Sequence, residues 1–207
     1  MKITYKLLSK IYDLIDVIYF TKGGINPRKA ILELIPDTKS TVLDMCCGTM
    51  GNSIEIAERH RNVKIIGLDI SAEMLEIAKE KIEKNNIYSV SIINGDATGT
   101  SFDNNSFDFI ILGLVLHEIE EALASKILKE GYRLLKENGK LIVLEWEESN
   151  SLLKQLLFLP IKILEPKPFK KFFKIDKARY FRSNGYDILN EYHCDYSCVF
   201  ELSKRKA

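Results

Sequence analysis

The sequence predicts an α/β protein with a doubly wound, mostly parallel sheet of seven strands. Strand signals and helix signals alternate from residue 40 to residue 146, which is typical of a parallel sheet covered by helices on both faces. The segment Phe107–Gly113 is nearly all apolar, as expected of a central strand buried on both faces. A length of 207 residues suits a single domain, and we interpret residues 1–207 as one.

The N-terminal residues predict two helices ahead of the sheet. Apolar side chains recur at helical spacing over residues 4–20, and the pair Gly23-Gly24 ends that helix. A second helix is predicted over Pro27–Ile35, with Asn26 as its N-cap. We interpret residues 1–38 as a helical lid.

Residues 40–146 are predicted to form the ligand-binding core, with five strands and three helices. The last of these helices is expected to end at Asn138-Gly139, a common helix stop. The predicted strands are Thr41–Met45, Val63–Asp69, Ser89–Asn94, Phe107–Gly113 and Lys140–Trp146. The predicted helices are Ser53–His60, a helix capped by Ser71 that ends near Lys84, and Glu120–Lys136.

The pattern changes after residue 146. Residues 147–175 mix large apolar side chains with lysines and three prolines, and we interpret them as a substrate-side insertion over the carboxyl ends of the strands. Residues 176–207 predict a helix over Asp176–Asn184 and two short strands within Tyr186–Leu202. These strands are expected to add an antiparallel strand at the C-terminal side of the sheet.

The composition narrows the class of protein. The formal net charge is +1, so no nucleic-acid partner is expected. No targeting segment is apparent, and the longest apolar run, Phe109–Leu116, is too short to span a membrane. The four cysteines lack the spacing of zinc ligands or of a disulfide framework. We therefore expect a cytoplasmic protein without a metal site.

Three acidic residues follow three of the predicted strands. Asp44 precedes a turn of small residues that includes Gly48, Asp69 ends the second strand, and Asp96 follows the third. In a doubly wound sheet, ligands bind at the carboxyl ends of the strands. An acid at Asp69 is placed to accept the two ribose hydroxyls, and Asp96 is placed to accept from an adenine amino group.

The charge of these residues favours one nucleotide-like ligand over another. A dinucleotide site would need the turn G-x-G-x-x-G, whereas this turn offers only Gly48 and Gly51 and is preceded by Asp44. A carboxylate repels phosphate and tolerates a cation. S-adenosylmethionine has no phosphate and carries an ammonium and a sulfonium group, so the sequence predicts this cofactor.

Five motifs resemble those of class I S-adenosylmethionine-dependent methyltransferases. In chain order they read VLDMCCGTMGNS, IIGLDISAEMLEIAKEK, NGDAT, SFDNNSFDFIILGLVLHEI and YRLLKENGKLIVLEW. The set is most similar to the ubiquinone/menaquinone C-methyltransferase-like branch, which implies a Rossmann-like methyltransferase fold. The chain departs from the first motif at Cys46 and Met50, where glycines are usual. Cys46 fits the turn if its φ is negative, and Met50 predicts a shifted turn in which Gly51 makes the close approach.

The resemblance implies a role for each residue near the cofactor. Cys46 and Gly48 would line the methionine portion, and Leu114 would lie near the methyl end. The residues implied for the ribose and adenine are Asp69, Ile70, Met74, Asp96 and Ala97. Taken singly, Asp69 and Asp96 also fit the roles of strand-end acids or helix caps.

Further residues are candidates for the acceptor side. His117 follows the fourth strand and is either a catalytic base near the methyl group or a polar residue that shapes the loop. Glu145 and Trp146 end the fifth strand, and Tyr12 and Lys22 could close over the cofactor. Methyl transfer from a sulfonium depends mainly on alignment and desolvation, so a base is not obligatory.

Residues 152–182 combine an apolar run with a basic one. They are interpreted either as a solvated surface or as an interfacial segment in transient contact with a membrane. The predicted function is methyl transfer to a small-molecule or lipid-like acceptor by direct in-line displacement, giving S-adenosylhomocysteine. The alternatives are a protein of the same fold that binds the cofactor without turnover, which Met50 would favour, and a nicotinamide-dependent oxidoreductase.

Overall fold

A computed structural model describes residues 26–149, 151–164 and 167–206 of the chain. The helix predicted over residues 4–20, together with Tyr12 and Lys22, lies outside the described residues. None of the helices in the described part of the chain has the length and hydropathy needed to cross a bilayer.

The sheet has seven strands in the order β3-β2-β1-β4-β5-β7-β6. Strands β1 to β5 pair with one another in parallel. Strand β7 is antiparallel to β5, and β6 is antiparallel to β7. The strands are β1 (Ser40–Met45), β2 (Val63–Asp69), β3 (Val90–Asn94), β4 (Phe107–Gly113), β5 (Leu135–Trp146), β6 (Tyr186–His193) and β7 (Ser197–Lys204). The predicted fold class, including the antiparallel addition at the C-terminal side, is confirmed.

Seven helices are described, and several begin at the residues that the sequence predicted. Asn26, Ser71 and Asp176 cap helices by accepting the backbone N–H of Arg28 at 2.8 Å, of Met74 at 3.3 Å and of Arg179 at 3.0 Å. The helices are α1 (Pro27–Leu34), α2 (Gly51–Arg59), α3 (Ala72–Lys84), α4 (Glu121–Leu134), α5 (Leu152–Leu164), α6 (Lys167–Lys174) and α7 (Lys177–Ser183).

Each face of the sheet buries its own hydrophobic core. On β5, Leu141 and Val143 point into the core beneath α4 and α7, whereas Ile142 and Leu144 point into the core shared with α1 and α2. All four side chains are essentially inaccessible to solvent. This alternation on a strand buried on both faces explains its continuous apolar sequence.

The junction between α4 and β5 differs from the sequence prediction. The predicted helix end at Asn138-Gly139 is wrong, because α4 ends at Leu134 and the strand begins at the next residue. Leu135 already pairs with Phe107, and the register then shifts before Phe109 pairs with Lys140. The Asn-Gly pair therefore lies in an irregularity of the strand, where a Cβ on Gly139 would lie 2.9 Å from a backbone oxygen of β4.

A buried carboxylate fixes the loop between β3 and β4. Glu130 on α4 accepts hydrogen bonds from the backbone N–H and the hydroxyl of Thr100, both at 2.8 Å, and from Arg133 at 2.6 Å and 2.9 Å. Arg133 also donates to the carbonyl oxygen of Phe102. The Arg133 guanidinium and the Thr100 donors lower the pKa of Glu130 from 4.5 to about 2, against the opposing effect of burial. The network holds the loop that begins with Asp96.

We expect Glu130→Gln to lower the melting temperature at pH 7 and to change how stability depends on acid. A carboxylate with a depressed pKa contributes stability that is present above pH 4.5 and is lost as the pH falls toward 2. The variant should therefore approach the wild type in acid. Thermal unfolding at pH 7, 4 and 3 measures this, with the exposed Glu58→Gln as control. A constant difference from the wild type at all three pH values would contradict the assignment.

Candidate functional site

The turn between β1 and α2 contains three residues with left-handed backbone conformation. They are Cys46, Gly48 and Met50, with φ values of 57°, 52° and 60°. The first and third are non-glycine residues, for which this conformation costs about 1–2 kcal/mol. The expectation of a negative φ at Cys46 is therefore wrong. The expected shift of the turn to Gly51 is also wrong, because Met50 itself takes the left-handed conformation and Gly51 begins α2.

The position of Met50 is explained by a glycine on the neighbouring strand. The Met50 side chain is fully buried and lies over Gly67 of β2, where an added Cβ would be only 2.5 Å from its sulfur. The missing side chain at Gly67 gives the thioether its space. Burial of a side chain of this size stabilises by roughly 1.5–3 kcal/mol, which is enough to offset the backbone strain.

We expect Gly67→Ala to destabilise the protein by about 1–3 kcal/mol, since overpacking of a filled core costs that much. The added methyl group would overlap the Met50 sulfur and would also lie 2.9 Å from the Cys47 sulfur. Chemical denaturation of Gly67→Ala, Met50→Ala and the double variant measures the coupling between the two positions. Strictly additive effects would show that the two residues are not packed against each other.

Asp69 joins this turn to the start of α3. One carboxylate oxygen accepts the backbone N–H of Gly48 at 2.8 Å, and the other accepts the backbone N–H of Ser71 at 2.8 Å. The side chain is half-buried. A carboxylate fixed by two backbone donors at the carboxyl end of β2 keeps further lone pairs for a ligand.

Asp44 is a buried carboxylate on the adjacent strand. It is 2% exposed and accepts a hydrogen bond from the Ser53 hydroxyl at 2.5 Å. Burial raises its pKa from 3.8 to about 7; the Ser53 hydrogen bond opposes this rise, Asp69 adds to it, and Arg28 opposes it. An acid in this state responds strongly to a nearby positive charge.

The predicted acids converge on Cys46. Burial and then the negative charges of Asp69, Asp44 and Asp96 raise the pKa of its thiol to about 12, so this thiol is not a reactive nucleophile. Glu118 on the loop after β4 acts on the same thiol. Glu118 and Ser53 were not predicted as site residues. Ser53 is the last residue of the first motif and Glu118 follows His117 in the fourth, but neither position signals a contact with this turn.

The residues predicted to surround an adenine ring are brought together in part. Ile70 is 73% exposed and follows Asp69 directly, whereas Met74 is half-buried on α3. Asp96 is exposed and accepts the backbone N–H of Thr98 at 2.8 Å, which lowers its pKa. Ala97 is buried in the core beneath α4. Asp96 therefore has a structural role in the turn after β3.

Leu114 stands at the end of β4 with a left-handed backbone conformation and a φ of 58°. Its N–H donates to the carbonyl oxygen of Leu144 at 2.8 Å, which extends the pairing of β4 with β5 by one residue. The preceding Gly113 lies so close to Asn52 that a Cβ there would be 2.7 Å from the Asn52 amide nitrogen. The end of β4 is thus packed against the first turn of α2.

A second polar pair lies beyond the ends of β4 and β5. His117 and Glu145 are buried, with Nδ1 of the imidazole 2.5 Å from one carboxylate oxygen. The other carboxylate oxygen accepts the backbone N–H of Leu116 at 2.8 Å. Phe169 of α6 meets the imidazole edge-on, with ring centroids 5.5 Å apart. Trp146 packs instead against Phe158 of α5 on the other face of the sheet, so the two predicted residues at the end of β5 lie on different sides.

Within the part of the chain that the structure describes, one group of side chains has ligand atoms placed to hold a metal. Glu147, His193 and Cys198 place one such atom each within 4.8 Å of one another. His193 Nδ1 lies 2.8 Å from the Glu147 carboxylate, which raises the pKa of His193. Cys194 and Cys198 flank the β6–β7 turn rather than sharing one strand, and both are free thiols. Sequence spacing could not reveal this group because its members come from three strands or strand ends.

Comparison with known proteins places this chain in a family. Residues 42–139 match the methyltransferase domain family. The demethylmenaquinone methyltransferase of Staphylococcus epidermidis is 31% identical over 179 residues, covering 85% of this chain and 72% of that protein. The demethylmenaquinone methyltransferase of Listeria welshimeri is 32% identical over 148 residues, covering 70% of this chain and 62% of that protein. This chain therefore matches less than two thirds of the Listeria relative.

The fold is also shared with solved structures. A SAM dependent methyltransferase from Aquifex aeolicus superposes with a TM-score of 0.74 over 97% of this chain and 98% of its own, at 20% identity. The Staphylococcus relative and the family model, together with the shared fold, thus place the chain among the class I S-adenosylmethionine-dependent methyltransferases, the class whose cofactor the sequence predicted. Within that class, the chain belongs to the menaquinone C-methyltransferase-like branch.

Proposed function

We propose that this protein transfers the methyl group of S-adenosylmethionine to a lipid-like, quinone-type acceptor. The observation that carries the proposal is the Asp69 carboxylate, which accepts the backbone N–H of Gly48 in the turn after β1, with Asp44 buried near the end of β1 and Asp96 in the turn after β3. The names of the Staphylococcus and Listeria relatives, both demethylmenaquinone methyltransferases, support a quinone-type acceptor.

The chemistry of the turn fits a cationic nucleoside. An added Cβ on Gly48 would meet no atom within 4 Å, so a ligand can approach the backbone there. The buried Asp44 carboxylate beside it suits an ammonium group and disfavours a phosphate. The exposed apolar side chain of Ile70 and the carboxylate of Asp69 together suit a base and a ribose.

The residues of the chain supply charge and alignment for the transfer. When bound, S-adenosylmethionine supplies an electrophilic methyl group on a positively charged sulfur. The acceptor would take this methyl group by in-line displacement, with S-adenosylhomocysteine as the product that retains the electron pair of the broken bond. The acids around Cys46 hold the cofactor in place, which is the main requirement of such a displacement.

We further propose His117 as the base that removes a proton from the acceptor. Its Nδ1 lies against Glu145, which favours the tautomer with the proton on Nδ1 and an accepting Nε2. Methylation at a ring carbon requires the loss of one proton from that carbon or from an attached hydroxyl. His117→Gln should then lower kcat more than tenfold and leave the dissociation constant of the cofactor unchanged.

The alternative of cofactor binding without turnover loses its sequence argument in this structure. It depended on Met50 disturbing the turn, whereas Met50 takes a left-handed conformation in which its side chain is buried over Gly67. Methyl transfer is therefore the function that the geometry supports best.

We expect cofactor affinity to rise with pH from 6 to 8. Asp44 has a raised pKa of about 7, so below pH 7 a bound cation must displace a proton. Each pH unit below 7 should cost up to about tenfold in affinity. Calorimetry of S-adenosylmethionine binding at pH 6, 7 and 8, in buffers of different ionisation enthalpy, measures both the affinity and the proton release.

Asp44→Asn removes the titrating group and should make the affinity weaker and nearly constant over this range. The same raised pKa means that ionised Asp44 lowers the stability of the folded protein without cofactor as the pH rises from 3.8 through 7. The variant should therefore be more stable than the wild type at pH 8. Asp37→Asn, an exposed acid that bonds Asn62, is the control. A flat affinity profile in the wild type would refute the role of Asp44.

A further inference from the structure

The most apolar exposed surface in the described residues is on α5. Six large aliphatic side chains of this helix are exposed, and Leu152, Leu153 and Ile163 are exposed by 82%, 68% and 74%. The complete set is Leu152, Leu153, Leu156, Leu157, Leu159 and Ile163. Exposed aliphatic side chains grouped on one helix mark a candidate interaction surface.

The polarity of α5 is the reverse of that of an ordinary surface helix. Counting about 100° of rotation per residue, the six exposed aliphatic residues span an arc of roughly 160°. Phe158 and Ile161 are buried in the core on the opposite side. The charged residue Lys154 lies between these two around the helix axis, Lys162 lies beside them, and the two lysines pair with Asp195 and Glu148. The outward face is therefore free of charge, unlike the solvated face that amphipathic helices normally show.

Positive charge is concentrated next to this helix. Residues 152–182 contain nine basic and two acidic side chains, a formal charge of +7 in a chain of net charge +1. Lys170, Lys174 and Arg179 are exposed on α6 and α7. Phe158 of α5 contacts Phe169 of α6, with ring centroids 6.4 Å apart, so the basic helix lies beside the apolar one.

We propose that α5 and α6 dock on the surface of an anionic lipid bilayer. The exposed aliphatic side chains would enter the boundary between headgroups and acyl chains, and the lysines would face anionic headgroups. A single short apolar face gives only reversible binding, and the added basic charge makes docking depend on lipid charge. The proposal rests on the proposed function, because a lipid-like acceptor would be held in that bilayer.

The docking surface is connected to the second polar pair of the site. Phe169 of α6 contacts the His117 imidazole, and Phe158 of α5 contacts Trp146 at the end of β5. Helix α5, which bears the outward apolar face, therefore packs against the end of β5, and α6 packs against the loop after β4 that holds His117.

Vesicle flotation tests the proposal. It compares neutral vesicles of phosphatidylcholine with anionic vesicles that also contain about 30 mol% phosphatidylglycerol. The wild type should bind the anionic vesicles at least about tenfold more tightly than the neutral ones. Leu152→Gln/Leu156→Gln/Ile163→Gln should reduce binding about tenfold or more. The matched control Tyr88→Gln/Leu123→Gln/Leu189→Gln replaces three exposed apolar residues elsewhere and should bind like the wild type.

Charge reversal separates the basic contribution from the apolar one. Lys170→Glu/Lys174→Glu should weaken binding to anionic vesicles by roughly tenfold and leave binding to neutral vesicles unchanged. Lys79→Glu/Lys129→Glu reverses two exposed lysines on other helices and should have little effect.

Three results would overturn the proposal. They are no flotation of the wild type, equal flotation of the triple glutamine variant, and a dimer by ultracentrifugation that this variant dissociates without any vesicle binding. The last result would assign the face to contacts between copies of the chain. Calorimetric affinity for S-adenosylmethionine, measured on the same variants, reports separately on the proposed function and should not change.

Discussion

Asp69→Ala should weaken binding of S-adenosylmethionine by about 100-fold, which corresponds to roughly 2.7 kcal/mol. The substitution removes the acceptor of the Gly48 and Ser71 backbone N–H groups together with the group proposed to bind the ribose hydroxyls. Hydrogen bonds to charged groups contribute roughly 1.5–3 kcal/mol each, so the loss of two is sufficient for this effect. Isothermal titration calorimetry with the cofactor and with S-adenosylhomocysteine measures the change.

Two comparisons separate ligand binding from loss of structure. Asp69→Asn keeps one oxygen acceptor and should show an intermediate loss of affinity. Asp37→Ala removes another acid that accepts a backbone N–H, that of Asn62, and should leave the affinity unchanged. Circular dichroism confirms that each variant is folded. If Asp69→Ala bound the cofactor as tightly as the wild type, the nucleoside site would not lie at the end of β2.

Glu145→Ala should destabilise the protein by about 3 kcal/mol, because it leaves two buried hydrogen-bond donors without their acceptor and each such loss costs roughly 1–3 kcal/mol. The substitution leaves the Leu116 N–H without its side-chain acceptor and removes the carboxylate beside His117 Nδ1. Both groups are buried, so water cannot easily replace the missing carboxylate. Urea unfolding at pH 7 measures the change in the free energy of unfolding.

The pair of Glu147 and His193 provides a solvent-exposed control for the unfolding measurement on Glu145→Ala. Glu147 bonds His193 in the same way, but its histidine is 62% exposed, and exposed ion pairs contribute about 0–1 kcal/mol. Glu147→Ala should therefore cost far less than Glu145→Ala. Glu145→Gln keeps an acceptor for Leu116 and should be intermediate in stability, while its kcat should fall if Glu145 positions the base. Equal losses at Glu145 and Glu147 would contradict the role of burial.

Much of the fold could be predicted because its signals are local. The apolar strands, the caps Asn26, Ser71 and Asp176, and the strand pair at the C-terminal side all follow from short stretches of sequence. The junction after α4 could not be predicted in this way. Asn138-Gly139 is a turn signal wherever it stands, and only pairing with β4 makes it an irregularity within a strand. Tertiary hydrogen bonding outweighed the local preference.

The candidate site, like the fold, could be predicted where its signals are local and not where it depends on contacts between elements. The acids at the strand ends were predicted, because the carboxyl ends of parallel strands always meet at one edge. The hydrogen bond of Ser53 to Asp44, the nearness of Glu118 to Cys46 and the seating of Met50 on Gly67 were not. Each is a contact between side chains on different elements, which neither periodicity nor motif spacing encodes.

The pairing of Met50 with Gly67 bears on how such proteins are found. A pattern search that demands glycine at all three left-handed positions of the first turn would discard this chain, because Cys46 and Met50 take that conformation without being glycine. A better query would allow a long flexible residue at the third position when a glycine stands two residues before the acid that ends the second strand. Such a query, which reads the third turn position together with the glycine on the second strand, could then retrieve chains of this kind.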